Sequence, residues 1–242
     1  MRKRTVLLGG LMALLLVGAA AWWFTGRESP DAVDLDRAIE DLAQADSDAD
    51  VEAEDDGEDL EPSGRWSVDT DAIPFDAATG SGTWVGYRVD EELSGIGAYE
   101  AVGRSPRVSG EIVIEGTSVT EAEIRADLVG LVSDNANRDA RVRPIFTDRP
   151  VVFTLAEPVD FGSIPAEGQR VAVSARGILA IGDVAREVAF ELSADVQGRR
   201  LVVAGSTMIT LADFDVRVPS APIVLSASDE ATIELLLYLT RG

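Results

Sequence analysis

The sequence predicts an all-β fold, an antiparallel β-barrel of about eight strands closed on itself, with a short helix or ordered loop at one end. Three observations carry this. From Arg65 onward apolar and polar residues alternate with period two, glycine-containing turns interrupt the alternation at intervals that suit an up-and-down protein, and no spacer between the runs is long enough for a crossover helix. Short turns and one wet face per strand mean antiparallel pairing, for which closure removes the exposed edges. A β-sandwich is the alternative arrangement of the same strands.

Ahead of the barrel the chain reads as two appendages, a transmembrane anchor or signal segment over 1–26 and an acidic disordered linker over 27–63, leaving 64–242 for the barrel domain. Arg2, Lys3 and Arg4 precede an uncharged apolar run from Val6 to Phe24. As a helix this run rises about 28 Å, close to the hydrocarbon thickness of a bilayer. The amino-side positive charges place its start in the cytoplasm, and Trp22 and Trp23 suit the outer interface, so everything beyond Arg27 is expected outside. Ala19-Ala20-Ala21 also satisfies the small-residue rule of a signal-peptidase site, which leaves secretion after cleavage as the alternative.

The net charge of −22 is concentrated in the second appendage. From Glu28 to Glu61 there are 16 acidic residues against the single basic Arg37, whereas Arg65 to Gly242 holds 27 acidic and 16 basic residues. Such a stretch has too little apolar surface to offset chain entropy, and self-repulsion is expected to keep it extended. Leu35, Ile39 and Leu42 nevertheless fall at helical spacing, which allows a short amphipathic helix from about Asp31 to Gln44. Asp46, Asp48 and Asp50 match the opening of an EF-hand loop, but Val51 stands where glycine is needed and Gly57 where the bidentate glutamate is needed, so no metal site is expected.

Within the barrel, Ala122, Ile124, Ala126 and Leu128 share one face of a strand and Glu121, Glu123, Arg125 and Asp127 the other. Val188, Phe190, Leu192 and Ala194 oppose Glu187, Glu191, Ser193 and Asp195 in the same way. Turn residues stand at Glu115-Gly116, Gly182-Asp183 and Gln197-Gly198. The last strand, Ala231 to Thr240, places Ile233, Leu235, Leu237 and Leu239 on one side. Only Ser133 to Asp148 lacks the alternation. It opens on the capping candidates Ser133 and Asp134, and Pro144 and Pro150 limit its length.

Composition removes much of the catalytic repertoire. The chain has no histidine and no cysteine, hence no imidazole base, thiolate nucleophile, disulfide or usual zinc site. It has no clustered basic stripe for nucleic acid. No cofactor is expected. The inward parity instead suggests a container: beside the bulky Ile112, Ile114, Phe153, Leu179, Ile181, Phe190 and Leu235 it carries Ala122, Ala126, Ala175 and Gly177, and small inward residues leave room. An eight-stranded barrel is either filled by side chains or open for one apolar ligand.

Several strings in this order resemble the YceI-like family, bacterial extracytoplasmic proteins named for binding polyisoprenoid lipids. They are Ser81 to Val89 (SGTWVGYRV) followed by Glu91, Ala101 to Arg104, Val108 to Ile112, Leu131-Val132-Ser133-Asp134 with Arg138-Asp139, Phe146 with Pro150 and Val152-Phe153, Gly177-Ile178-Leu179 with Gly182, Asp213-Phe214 and Pro219. The resemblance implies a lipocalin-like barrel whose elongated cavity takes up an isoprenoid chain such as a quinone or polyprenyl tail, with no catalysis. Many members carry a histidine early in the domain where this chain has Glu91 and Glu92, so a head-group contact made there does not carry over.

The expected apolar site is thus Ile112, Ile114, Ala122, Ile124, Ala126, Phe153, Ala175, Gly177, Leu179, Phe190 and Leu235. Asp134, Arg138, Asp139 and Arg141 are candidates for a polar mouth, where Arg138 between two carboxylates makes either a structural ion-pair network or a contact to a head group; Arg143 completes the local basic cluster. The competing classes are an envelope module with a filled barrel and an enzyme built on paired carboxylates such as Asp213 and Asp215, taken to share a strand face.

Overall fold

A computed structural model describes residues 29–48, 62–165 and 168–242. The expected membrane segment over 1–26 lies outside these residues, as do residues 49–61 of the acidic run; among the described residues no helix is long and apolar enough to cross a membrane.

In chain order the elements are helix α1 (Leu35–Asp48), strands β1 (Gly64–Asp69), β2 (Trp84–Leu93), β3 (Gly97–Ser105), β4 (Val108–Glu115), β5 (Ser118–Ala126) and β6 (Val132–Ser133), helix α2 (Ala136–Val142), and strands β7 (Val151–Leu155), β8 (Val159–Asp160), β9 (Val171–Ile181), β10 (Val184–Gln197), β11 (Arg200–Thr210), β12 (Val224–Ala227) and β13 (Glu230–Arg241). Eight strands form an antiparallel ring in the order β1-β4-β5-β7-β9-β10-β11-β13, closed by β13 on β1. The twelve-residue β13 pairs twice along one edge, Tyr238 to Arg241 with β1 and Thr232 to Leu236 with β2, and β3 and β6 follow β2 outward. The barrel, not the sandwich, is the solution.

The glycine turns do what their positions require. Gly116, Gly182 and Gly198 are each the first of two loop residues, with φ of 58°, 61° and 55°, and the residue after each has no positive φ. That is the type II′ pattern, whose twist matches the flanking strands.

The acidic linker does not hold as expected over its first part. Residues 35–48 form α1, and its stripe of Leu35, Ala38 and Leu42 is buried against the outside of the barrel on Trp84, Val202, Ala204, Leu236 and Tyr238. Apolar burial on this stripe outweighs the acidic composition, and acids of the helix find polar partners: Asp36 pairs with Arg170, Asp46 with Arg200 at 2.9 Å, and Asp41 accepts from the Ser81 hydroxyl at 2.8 Å. The Tyr238 hydroxyl donates to the Ala38 carbonyl at 2.8 Å. Upstream of α1, Arg88 donates to the Pro30 carbonyl and Arg104 to that of Asp31, while Arg104 lies 4.5 Å from the centre of the Trp84 ring. Residues 29–48 therefore form a strap on the outer wall.

Candidate functional site

The barrel interior is a cavity of two lobes, about 180 Å³ and 160 Å³, that meet at Val85, Val151, Leu179 and Ile233, which line both. About 10–15 Å³ on this scale holds one water, so the interior is far from filled. The smaller lobe is walled almost wholly by apolar side chains. Its one ionisable neighbour, Asp195, has the outward parity of β10 and accepts from Gln197 Nε2 at 2.9 Å. None of its described wall residues is exposed.

Ten of the eleven residues expected to face inward line this lobe: Ile112, Ile114, Ala122, Ile124, Ala126, Phe153, Ala175, Leu179, Phe190 and Leu235. Gly177 does not. A Cβ there would come within 2.4 Å of the Phe153 ring and 2.5 Å of the Thr154 carbonyl oxygen, so Phe153 fills the space that the glycine leaves. The same ring stands edge-on to Phe190 with centroids 5.2 Å apart.

The second lobe is the polar one. Along β2 the odd residues Val85, Tyr87, Val89, Glu91 and Leu93 all face it, joined by Tyr99 and Ala101 of β3 and by Asp134, Arg138 and Arg141. Arg138 donates to Asp134 at 2.6 Å and pairs with Glu91 at 3.4 Å, and its guanidinium lies 5.4 Å from the centre of the Tyr99 ring. Tyr99 in turn donates to Asp134 Oδ2 at 2.7 Å. Burial works against the Arg138 charge, and the two carboxylates more than compensate. Tyr87 packs against Gly103, where a Cβ would come within 2.7 Å of its ring.

Asp139 belongs elsewhere. It is buried outside the lobe, accepting from the Ser133 hydroxyl at 2.6 Å and standing 3.5 Å from Arg143, and so fixes β6 to α2. The second carboxylate on Arg138 is Glu91, not Asp139. The helix cap is also displaced from the expected Ser133 or Asp134: Asn135 Oδ1 accepts from the backbone N–H groups of Asn137 and Arg138. Asp213 and Asp215 do not share a strand face. They lie at a 3₁₀ turn, Leu211–Phe214, and at its left-handed cap, where Asp215 has φ 53°, and both are exposed.

Two predictions arise from this cluster. Burial pushes Tyr87 up to about 12; burial, then the hydrogen bond to Asp134, pushes Tyr99 up to about 12; burial also raises Tyr238. These are all three tyrosines of the chain. An alkaline titration followed by phenolate absorbance should therefore show almost no ionisation near pH 10. The folded pKa exceeds the unfolded one, so this stabilisation is complete below about pH 10 and is lost as pH rises toward about 12. Arg138→Gln should cost about 1–3 kcal/mol by leaving Glu91 and Asp134 uncompensated, and so lower the melting temperature by about 5 °C. Bound neutral lipid should still co-purify, since Arg138 is already occupied by two carboxylates. Selective loss of a charged-head lipid with unchanged melting would make it a recognition residue instead.

Fold and site together define a closed antiparallel barrel with an elongated apolar interior and one charged end. The YceI-like domain model matches residues 83–239, and the chain belongs to that family. Comparison with curated protein sequences finds no match. Among solved structures, a polyisoprenoid binding domain from Saccharophagus degradans implicated in plant cell wall breakdown aligns with a TM-score of 0.56 at 18% identity, over 73% of this chain and 98% of that one. BcnA of Burkholderia cenocepacia gives 0.47 at 17% identity over 64% and 95%, and a Campylobacter jejuni YCEI protein 0.47 at 13% over 58% and 84%. At these identities the likeness is one of fold. The matched domain begins after the strap, so α1 lies outside it.

Proposed function

We propose that this chain is an extracytoplasmic lipid-binding protein that holds or carries an isoprenoid chain, a quinone or polyprenyl lipid, with the tail in the apolar lobe and the head group at the charged end. The observation that carries the reading is the asymmetry of the interior: one lobe with an apolar, unexposed wall that continues into a lobe carrying a tyrosine and ion-pair cluster. An isoprenoid tail offers apolar area and few hydrogen-bonding atoms, and burying it is worth about 25 cal/mol per Å² before ordering costs. A filled barrel acting only as an envelope module would need side chains in the space that the apolar lobe leaves open. Asp213 and Asp215, exposed at a turn, offer little to an enzyme reading.

Native mass spectrometry after gentle purification, with organic extraction of the same sample, tests the proposal. A co-purifying isoprenoid at near-equal stoichiometry is expected; an empty barrel that takes up neither a quinone nor a polyprenyl lipid would refute it. The proposed location, with the domain outside a membrane anchored by 1–26, is checked by adding protease to intact spheroplasts, which should release the domain. A mature form beginning at Trp22 would instead establish cleavage and secretion.

A further inference from the structure

The strap is fixed to the outer wall at its entry as well as along its helix, and the entry is held by buried charges. Arg88, Arg104 and Glu234 have the outward parity of β2, β3 and β13, yet they are only 9%, 1% and 2% exposed. Arg88 donates to the Pro30 carbonyl at 2.8 Å, Arg104 to that of Asp31, and Glu234 accepts from the Val33 N–H at 3.1 Å. Arg88 also stands 2.9 Å from Glu234. Just ahead of these, the Ser29 hydroxyl donates to the Glu100 carbonyl at 2.6 Å. Charges buried in this way need such partners, so the entry of the strap is itself a fixed point of the fold.

That fixed point lies at the open end of the barrel. Arg141, Arg217 and Ile223 of the charged lobe's wall are exposed, whereas no described wall residue of the apolar lobe is. Glu100 follows Tyr99, which lines the charged lobe and pairs across β2 and β3 with Glu91. From there the strap runs toward the other end, where Asp46 pairs with Arg200 beside the β10–β11 turn. The placement limits the chain between the mouth and residues 1–26. The apolar run ends at Phe24, five residues before Ser29, which is at most about 18 Å of extended chain. If the chain were free as far as Gly64 at the start of β1, the same tether would be 40 residues and up to about 140 Å.

We propose that the strap is a membrane tether: with 1–26 in a bilayer, its docked entry holds the charged mouth within about 20 Å of the lipid and leaves the closed end farther out. Isoprenoid then passes between bilayer and cavity without the domain leaving the membrane. Tether length alone does this. Glu92, Asp215 and Asp229 are exposed near the mouth, so the arrangement draws nothing from anionic lipid. The inference rests on the lipid-binding reading above and on the anchor proposed with it, and adds how the mouth is presented to lipid.

Because the chain has no cysteine, single labels can be placed in the full-length protein. Ser94→Cys lies in the β2–β3 turn, where the N–H of residue 94 donates to the Ile223 carbonyl at the mouth, and Arg199→Cys lies in the β10–β11 turn. Each carries a donor fluorophore and is reconstituted in phosphatidylcholine nanodiscs with an acceptor on the lipid head groups. The twelve residues of β13, tilted in the wall, put the second turn about 30 Å beyond the first, so transfer at 94 should exceed that at 199 by about twofold or more. Two insertions of about twenty Gly-Ser residues then decide the path of the tether. Between Glu28 and Ser29 the insertion should lower transfer at 94 to about half or less and remove the difference between the labels. Between Asp56 and Gly57, beyond the docked strap, it should change neither. Equal loss from both insertions overturns the proposal, since the strap would then be undocked. Transfer at 199 that matches 94 in the parent also overturns it, as does a chain that does not stay with the lipid. Isoprenoid is extracted from the same samples. Bound isoprenoid with the wrong geometry refutes the tether alone, and the expected geometry without isoprenoid refutes only the binding reading.

Discussion

Ala126→Phe should abolish uptake of a long isoprenoid while leaving the barrel folded. Ala126 stands opposite Val151 in the β5–β7 register, and Val151 is one of the four residues at which the two lobes meet. A phenyl ring at 126 therefore plugs the waist of the cavity. A tail that cannot pass loses the contacts of the whole apolar lobe, about 0.8 kcal/mol for each buried CH₂ before ordering costs, so affinity should fall by far more than tenfold. The interior already has open space, which should keep the overpacking penalty toward the low end of about 1–3 kcal/mol. Extracting lipid from folded protein checks it, with a short-tailed quinone as comparison: a ligand short enough for the charged lobe alone should still bind. Undiminished content of a long-tailed lipid in Ala126→Phe would place the tail elsewhere. Gly177→Leu is the poorer probe, because its side chain would collide with Phe153 and the Thr154 carbonyl and so would test packing, not ligand space.

The strands were legible where one face is wet and one is dry. β5, β9 and β10 alternate for that reason, and their parity assigns most of the wall residues that these three strands give the apolar lobe. Gly177 marks the limit of parity. Facing inward is not the same as facing open space, and whether a neighbouring ring occupies the gap depends on the rotamer of Phe153, which lies on the adjacent strand β7 opposite Leu179, diagonal to Gly177. In β13 the run from Glu234 to Leu239 is buried on both faces. Period two identifies Leu235, Leu237 and Leu239 there and is silent on why Leu236 and Tyr238 are apolar as well. That second apolar face was the available signal that something covers the barrel from outside.

At the charged end the pair Asp134 and Arg138 was legible because four residues apart is one helical turn. Glu91 was not, since it lies 47 residues from Arg138 and arrives only through the pairing of β2, β3 and β6. The clue was its parity. On β2 it shares the inward face with Val85, Tyr87, Val89 and Leu93, and a carboxylate on an otherwise apolar inward face needs a cation. Asp139 misled for the converse reason: adjacency in sequence to Arg138 turns it to a different side of α2, where Ser133 and Arg143 are its partners.

Leu42→Asp should produce the largest loss of stability of any single change in the strap, about 3–5 kcal/mol. Leu42 is 2% exposed in a cluster with Trp84, Val202, Leu236 and Tyr238. Removing its side chain alone leaves a gap costing about 2–5 kcal/mol, and a carboxylate in the same place must either be desolvated or push the helix off. Displacement would uncover the outer face of β13 and strip Arg88 and Arg104 of the backbone carbonyls of Pro30 and Asp31, so the damage should spread along the strap. Thermal melting together with limited proteolysis of the acidic segment reads the effect. A lowered melting temperature with early cleavage near 42 is expected, whereas Glu40→Gln, on an exposed residue, should melt like the parent. An unchanged melt for Leu42→Asp would mean that the strap contributes nothing to the barrel and that its apolar stripe serves another contact.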